Sequence, residues 1–168
     1  MMTSHQGQRR LDDMVLAAAI RDVDVVARYR AKLAEVDGST CLWWTGAISG
    51  RGHGRFWVSG SRVVIAHRFG FALDHGVELL AAVDVLGHRC DNPLCQRVGP
   101  GHIVASTPRG NRREWAARRG LAGSPVGDGR GSRERARVMR DLVRRDPDLA
   151  AVELWRLAAR SGHQPPLW

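Results

Sequence analysis

Apolar residues recur at intervals of three and four along residues 11 to 36, which is the spacing of one amphipathic helix. Asp22 interrupts the pattern, and Asp37 to Ser39 end it. Such a helix buries its apolar face against its own domain or against a second copy of the chain, so a homodimer remains open. The pattern predicts an N-terminal helical segment over residues 1 to 37.

Beyond Cys41 the pattern changes to short β-rich runs punctuated by glycine and serine. Arg55 to Ser59 and Arg62 to His67 predict two strands, and the Gly60-Ser61 pair between them suits a two-residue hairpin turn. A short helix is predicted to follow, from His67 to Asp74.

Residues 83 to 120 predict a strand, a long loop, a second strand and a helix. Val83 to Leu86 and His102 to Ser106 predict two more strands. The loop between them is rich in cysteine, asparagine, proline and glycine, and a loop of this length needs something to organise it. The Thr107-Pro108 pair supplies a capping hydroxyl and a proline at the first helical position, so a helix is predicted from there to Gly120.

The remainder of the chain predicts a linker and two helices. Residues 121 to 132 are mostly small, as in a linker, and the segment 133 to 168 is basic and helical. Its helices, joined at the capping pair Asp146-Pro147, form either a helix-turn-helix-like DNA-binding unit or an ordinary hairpin. The side chains predicted to face inward are Leu142, Leu149, Val152, Trp155 and Ala158.

Charge narrows the choice of partner. The net charge is +9, and 25 of the 26 basic residues are arginine, whose guanidinium grips two phosphate oxygens at once. A GC-rich genome would give the same arginine bias. Residues 109 to 145 contain 12 arginines and four acidic residues and so carry +8 of that charge. A polyanion such as nucleic acid is therefore the expected partner.

Neither a membrane span nor a signal peptide is predicted. No apolar run approaches the length that crosses a bilayer, and Asp12 and Asp13 lie where a signal peptide needs an uncharged segment. We therefore expect a cytoplasmic protein that does not associate with membranes.

The three cysteines indicate a metal site. An odd number argues against a disulfide framework. Cys41, followed by the series Cys90-x4-Cys95-x6-His102, supplies three thiolates and one imidazole, the donor set of a closed tetrahedral zinc site. Three unrelated buried thiols are the alternative. Zinc would order the irregular loop and contribute folding free energy.

A strand, a zinc loop, a strand and a helix, with His88 before the loop and Asn111 in the helix, resemble the ββα-metal core of HNH (His-Me finger) endonucleases with a zinc knuckle. The segments GHRCDNPLC and GHIVAS carry the resemblance, and CLWWTGA, GHGRF and AHRFGFALDHG precede them in the same order. The similar proteins are small HNH proteins of phages and actinobacteria and, more distantly, His-Cys box homing endonucleases. The resemblance covers about residues 41 to 119.

The resemblance implies an α+β fold: a small ββα-metal core within residues 38 to 120, with an upstream β-hairpin and a structural zinc loop, flanked by N- and C-terminal helices. It also implies hydrolysis of DNA phosphodiester bonds, by nicking or double-strand cutting. His88 is then the general base, and Asn111 holds a Mg²⁺-type ion at the leaving oxygen. Arg68 matches a position that contacts phosphate near the cut. The arginines predicted to bind nucleic acid are Arg109, Arg112, Arg113, Arg118 and Arg119.

Two features depart from the family pattern. The step from Cys95 to the zinc histidine is lengthened to QRVGPG, and Asn92 is the candidate for the middle residue of the motif. His67 is interpreted as structural in preference to a metal or substrate contact, and His53 as a surface or structural residue. A noncatalytic zinc-stabilised nucleic-acid-binding protein and a ribonuclease are the alternative functions.

The last residues carry a separate hypothesis. Gln164 to Trp168 resemble the short peptide with which bacterial DNA-metabolic proteins bind the sliding clamp. The alternative is a terminal segment that docks its tryptophan on its own domain.

Overall fold

A computed structural model describes residues 4 to 118 and 129 to 160, with side chains over 12 to 118 and 129 to 157. These residues form a mixed α+β structure whose short strands pair two by two. The helices are α1 (Ser4–Ala19), α2 (Val23–Arg30), α3 (Ala66–His75), α4 (Val77–Ala82), α5 (Pro108–Arg118), α6 (Gly131–Arg145) and α7 (Pro147–Arg160). The strands are β1 (Leu33–Ala34), β2 (Trp43–Trp44), β3 (Arg55–Ser59), β4 (Arg62–Ile65), β5 (Val85–His88) and β6 (Ile103–Ser106). Among the described helices, none combines the length and apolarity that a bilayer crossing requires.

The prediction of one helix over residues 11 to 36 is wrong, because two helices and a strand occupy this region. Oδ1 of Asp22 accepts hydrogen bonds from the backbone nitrogens of Asp24 and Val25, at 2.9 and 3.1 Å, and thereby begins a new helix. The chain then leaves the helical conformation where β1 pairs with β2. Asp22 is thus the start of α2 and not a defect within a longer helix.

The hairpin prediction is confirmed. β3 and β4 pair antiparallel around the Gly60-Ser61 turn, and Phe56 and Val58 point into the core while their neighbours are exposed. The second strand ends earlier than predicted, at Ile65, so His67 lies in the first turn of α3 and not in the strand. A Cβ on Gly54 would lie 2.6 Å from the Trp44 ring, which explains why glycine precedes β3.

Strand, loop, strand and helix follow one another from residue 85 to 118. The observed strand, β5, begins two residues later than predicted, because the first half of the apolar run forms α4. β5 and β6 pair antiparallel from Val85 with Ser106 to His88 with Ile103. Oγ1 of Thr107 accepts a hydrogen bond from Gly110 N at 3.1 Å, so the predicted cap does begin α5.

An aromatic cluster ties α2 to the loop after β5. The Tyr29 ring lies 4.8 Å from that of Phe69 and 5.4 Å from that of Phe56, centroid to centroid. Its hydroxyl donates a 3.0 Å hydrogen bond to Oε1 of Gln96, which lies in that loop and is buried. The core therefore reaches from the N-terminal helices to the cysteine-containing loop.

The helical hairpin α6–α7 is confirmed, but its predicted inward face is partly wrong. Asp146 accepts backbone hydrogen bonds at the start of α7 as predicted, whereas Leu149, Val152 and Trp155 are exposed. The buried apolar side chains of the hairpin are instead Ala136, Met139 and Val143 on α6 and Ala150 on α7. α6 begins at Gly131, inside the predicted linker. Most of that linker, the side chain of Ala158 and the predicted clamp-binding peptide Gln164 to Trp168 lie outside the described residues.

Candidate metal centre and adjoining histidine cleft

Cys41 reaches the cysteine loop through backbone pairing. Trp44 N donates to Leu94 O at 2.9 Å and Gln96 N donates to Leu42 O at 2.7 Å, which aligns the segment after Cys41 with the segment around Cys95. These two cysteines are far apart in sequence, so their meeting depends on this pairing and not on local geometry.

The lengthened step between Cys95 and His102 folds back on itself. Gly99 and Gly101 adopt φ values of 129° and 84°, which other residues rarely adopt, and His102 N donates to Gly99 O at 3.1 Å. His102 Nδ1 consequently lies 3.5 Å from Cys95 Sγ and 3.9 Å from Cys41 Sγ. The longer step leaves His102 within the cluster.

Cys41, Cys90, Cys95 and His102 are compatible with a structural metal such as zinc. Their ligand atoms all lie within 4.8 Å of one another. A tetrahedral zinc ion with ordinary bond lengths would place a sulfur and a nitrogen about 3.5 Å apart. Four protein donors close the coordination shell, which is the arrangement of structural rather than catalytic zinc.

The thiols cannot all ionise without a compensating cation. Hydrogen bonds from Cys90 and Cys95 lower the pKa of Cys41, while the pKa of Cys90 is raised, chiefly by its hydrogen bond to Cys41. The pKa of Cys95 is raised to about 11, again mainly by Cys41. One thiolate therefore forms at the expense of the other two, and a divalent cation removes that conflict.

A second cluster lies beside this centre. His53 comes from the loop before β3, His67 from the first turn of α3 and His88 from the end of β5. Nε2 of His88 lies 3.3 Å from Nδ1 of His67, and one ring nitrogen from each of the three residues falls within a 4.8 Å span. Sequence pattern alone predicts a surface or structural role for His53 and does not associate it with His88.

Burial keeps these imidazoles neutral. The pKa of His88 is lowered to about 3, chiefly by desolvation and in part by the nearby His53. Desolvation also lowers the pKa of His67 and of His53, although the Pro93 backbone acts in the opposite direction on His53. Near neutral pH each ring therefore holds a nitrogen lone pair that can accept a proton or a metal ion.

The histidines line a cleft of about 700 Å³. Two residues predicted to form the functional site, Asn111 and Arg68, line the same cleft. Other lining residues were not predicted and include Arg51, Asp84, Trp115 and Arg135. The structure thus brings His88, Asn111 and Arg68 to one concave surface.

Asn111 lies against β5. It sits in the first turn of α5, where its backbone nitrogen donates to Thr107 O at 2.8 Å. A Cβ on Gly87 would lie 2.9 Å from Asn111 Oδ1, so glycine at this position lets the amide approach the strand next to His88. The cap at the start of α5 and the missing side chain at Gly87 together place the Asn111 amide beside His88.

The other predicted phosphate contacts differ in their surroundings. Arg109, Arg112 and Arg113 are exposed on α5, whereas Arg119 lies outside the described residues. Arg118 instead donates to both carboxylate oxygens of Asp91, at 2.8 and 3.0 Å, and to the His88 carbonyl at 3.4 Å. Its guanidinium thus connects α5, the cysteine loop and the end of β5.

We expect Arg118→Met to lower the free energy of unfolding by about 3 kcal/mol, because it leaves the enclosed Asp91 carboxylate without its cation. The Asp91 side chain is 8% exposed and that of Arg118 is 23% exposed, so solvent screens this pair little. The matched change Arg113→Met, on the exposed face of the same helix, should alter the free energy of unfolding by less than about 0.5 kcal/mol. Urea denaturation measures both, and equal midpoints would show that Arg118 has no structural role.

Arg135 reaches the cleft from α6, although its side chain is buried and was not predicted to lie there. α6 approaches the His53 loop so closely that a Cβ on Gly52 would lie 3.0 Å from Ser132 O and 3.1 Å from the Ala136 Cβ. The sequence pattern does not predict this contact, because Arg135 is one of many arginines on a basic helix and nothing local distinguishes it.

Comparison with known proteins identifies one distant similarity. Protein 7.7 of Escherichia phage T7 is 32% identical to this chain over 78 residues. The match covers 46% of this chain and 56% of that protein, so the chain spans about half the length of this relative. No family model and no solved structure matches the chain.

Proposed function

We propose that this chain is a metal-dependent endonuclease of the HNH type that hydrolyses DNA phosphodiester bonds. The observation that carries the proposal is the meeting of a neutral imidazole, His88, with the Asn111 amide and the Arg68 guanidinium in one cleft. The strand, metal loop, strand and helix around them follow the order expected of that family. The similarity to a phage protein does not indicate an activity.

His88 is proposed as the general base. A neutral imidazole accepts a proton from water, and His67, 3.3 Å away, hydrogen-bonds one of its nitrogens and so orients the ring. A phosphodiester that enters the cleft brings negative charge close to the ring. This charge favours the imidazolium and raises the pKa of His88 toward the range in which it is an effective base.

Oxygen ligands and arginines supply the rest of the proposed site. Asn111 and Asp84 line the cleft with the hard oxygen donors that Mg²⁺ prefers. When bound there, such an ion supplies positive charge for the leaving oxygen. Arg51, Arg68 and Arg135 surround the same space and are proposed to hold the phosphate, while the exposed arginines of α5 contact the flanking DNA backbone.

The test is cleavage of supercoiled plasmid with Mg²⁺, with and without EDTA. We expect nicked or linear product that carries 5′-phosphate and 3′-hydroxyl ends and disappears with EDTA. Asn111→Ala should slow cleavage about 100-fold, because several kcal/mol of charge stabilisation are lost with the ligand. Asn111→Asp keeps a ligand oxygen and should retain more activity. Single-stranded and duplex RNA in the same assay distinguish a ribonuclease.

A noncatalytic nucleic-acid-binding protein is the second candidate, and one observation favours it. Burial lowers the pKa of His88 to about 3, at which an imidazole is a weak base. Wild-type protein that shifts DNA in a gel but leaves plasmid intact with Mg²⁺ and with Mn²⁺ would support this candidate against the nuclease.

A further inference from the structure

We propose that His53, His67 and His88 form a second metal site, which takes a borderline divalent transition metal such as Zn²⁺ and thereby inhibits the chain. The binding part of the proposal stands on the geometry of the three rings. The inhibition part rests on the proposed function, since it requires His88 to act as a base.

The spacing of the rings suits one shared ion. A tetrahedral zinc ion with two imidazole ligands places their nitrogens about 3.3 Å apart. Nε2 of His88 and Nδ1 of His67 lie 3.3 Å apart, and a nitrogen of His53 completes a set that spans no more than 4.8 Å. The three nitrogens already lie within this span, so little rearrangement is needed to close them on an ion.

The ring nitrogens are available to a cation. Within the described part of the chain, Nδ1 of His53 is buried and has no hydrogen-bond partner. A buried polar atom without a partner is costly, and a ligated metal removes that cost at any nitrogen that binds it.

The donor set selects the class of metal. Three imidazoles without a carboxylate among them favour zinc, cobalt, nickel or copper over Mg²⁺, which prefers oxygen. The cleft opens to solvent and leaves a fourth position for water or a phosphate oxygen. The histidine site and the proposed Asn111 site therefore accept different ions within one cleft.

The surroundings make this site weaker than the cysteine cluster. Arg51 lies near His53 and Arg68 near His67, and both repel a cation. The cysteine cluster offers thiolates, which bind zinc more strongly than imidazoles do. Added metal should therefore fill the cysteine cluster first and the histidine site second. Occupation of the second site takes the His88 lone pair away from water, so cleavage stops.

Metal titration of the full-length protein tests the binding part. Co²⁺ added to metal-free protein should bind in two steps. The first carries thiolate charge-transfer absorption, whereas the second shows the visible bands of nitrogen and oxygen ligation alone. His53→Gln should keep the first step and weaken the second by more than about tenfold, since loss of even an outer partner costs that much. His75→Gln, on the exposed end of α3, is the matched control and should retain both steps.

Zinc inhibition tests the second part. In Mg²⁺ buffer, Zn²⁺ beyond one equivalent should inhibit plasmid cleavage, and His53→Gln should raise the inhibitory concentration more than about tenfold relative to its own zinc-free rate. One bound Co²⁺ in wild type, or an undiminished second step in His53→Gln, overturns the proposed site. Two-step metal binding by a protein that does not cleave DNA overturns the proposed nuclease function but supports the proposed histidine metal site. Cleavage that resists excess Zn²⁺ while the second step is present overturns the inhibition.

Discussion

Plasmid cleavage by His88→Ala is expected to be slower than wild-type cleavage by about 10²- to 10⁴-fold, the usual contribution of a general base. The substitution removes the imidazole at the end of β5 and leaves the arginines of the cleft in place. DNA binding, followed by gel shift at fixed ionic strength, should stay within about threefold of wild type, since phosphate contacts dominate affinity.

The control for this prediction is His75→Ala, which removes an exposed imidazole at the end of α3. It should cleave at the wild-type rate. Circular dichroism should match among all three proteins, and so should the zinc bound by the cysteine cluster when one equivalent is supplied, which separates loss of the base from loss of the fold. A His88→Ala protein that is folded, binds DNA and cleaves at the wild-type rate would assign the base to another residue.

Removal of the proposed structural zinc is expected to unfold most of the described domain. Metal binding by such clusters contributes about 10 to 16 kcal/mol, which is as large as the entire stability of an ordinary domain, about 5 to 15 kcal/mol. Cys95 is fully buried, and its neighbour Gln96 anchors Tyr29 in the aromatic cluster. Disorder in the cysteine loop would therefore reach the N-terminal helices.

Cys95→Ser, or a strong zinc chelator added to wild type, should abolish the cooperative urea transition and reduce bound zinc from one equivalent toward zero. Elemental analysis and far-ultraviolet circular dichroism measure the two effects. His75→Ser is the comparison variant and should keep both zinc and transition. A Cys95→Ser protein that unfolds at the wild-type urea midpoint would show that the four ligands pack without needing a metal.

The candidate site was predictable where local sequence determines geometry. The Thr107-Pro108 pair marked the start of α5 and so placed Asn111 in its first turn, and the Gly60-Ser61 pair marked the hairpin. The cysteine spacing indicated the loop whose ligand atoms the structure brings within 4.8 Å of one another, because ligand type and spacing carry that information directly. Each of these motifs determines structure within a few residues, and tertiary packing did not alter the structure that it predicts.

Tertiary packing determined the parts that were missed. His53 and Arg135 line the cleft where α6 packs on Gly52. This contact joins segments about 80 residues apart, so no periodic pattern in the sequence predicts it. The break at Asp22 was visible, but whether a capping residue interrupts a helix or begins one depends on how the residues after it pack in space. The apolar side chains of α7 followed helical spacing and still did not face the core.

The position of α6 has a consequence for the order in which the cleft is completed during synthesis. The ribosome delivers the metal ligands, His88 and Asn111 before α6, so a nascent chain that has reached residue 118 contains every ligand of the metal centre. It still lacks Arg135 and the wall that packs on Gly52. A truncated chain that ends at residue 118 would contain every residue of the candidate metal centre yet lack one wall of the cleft.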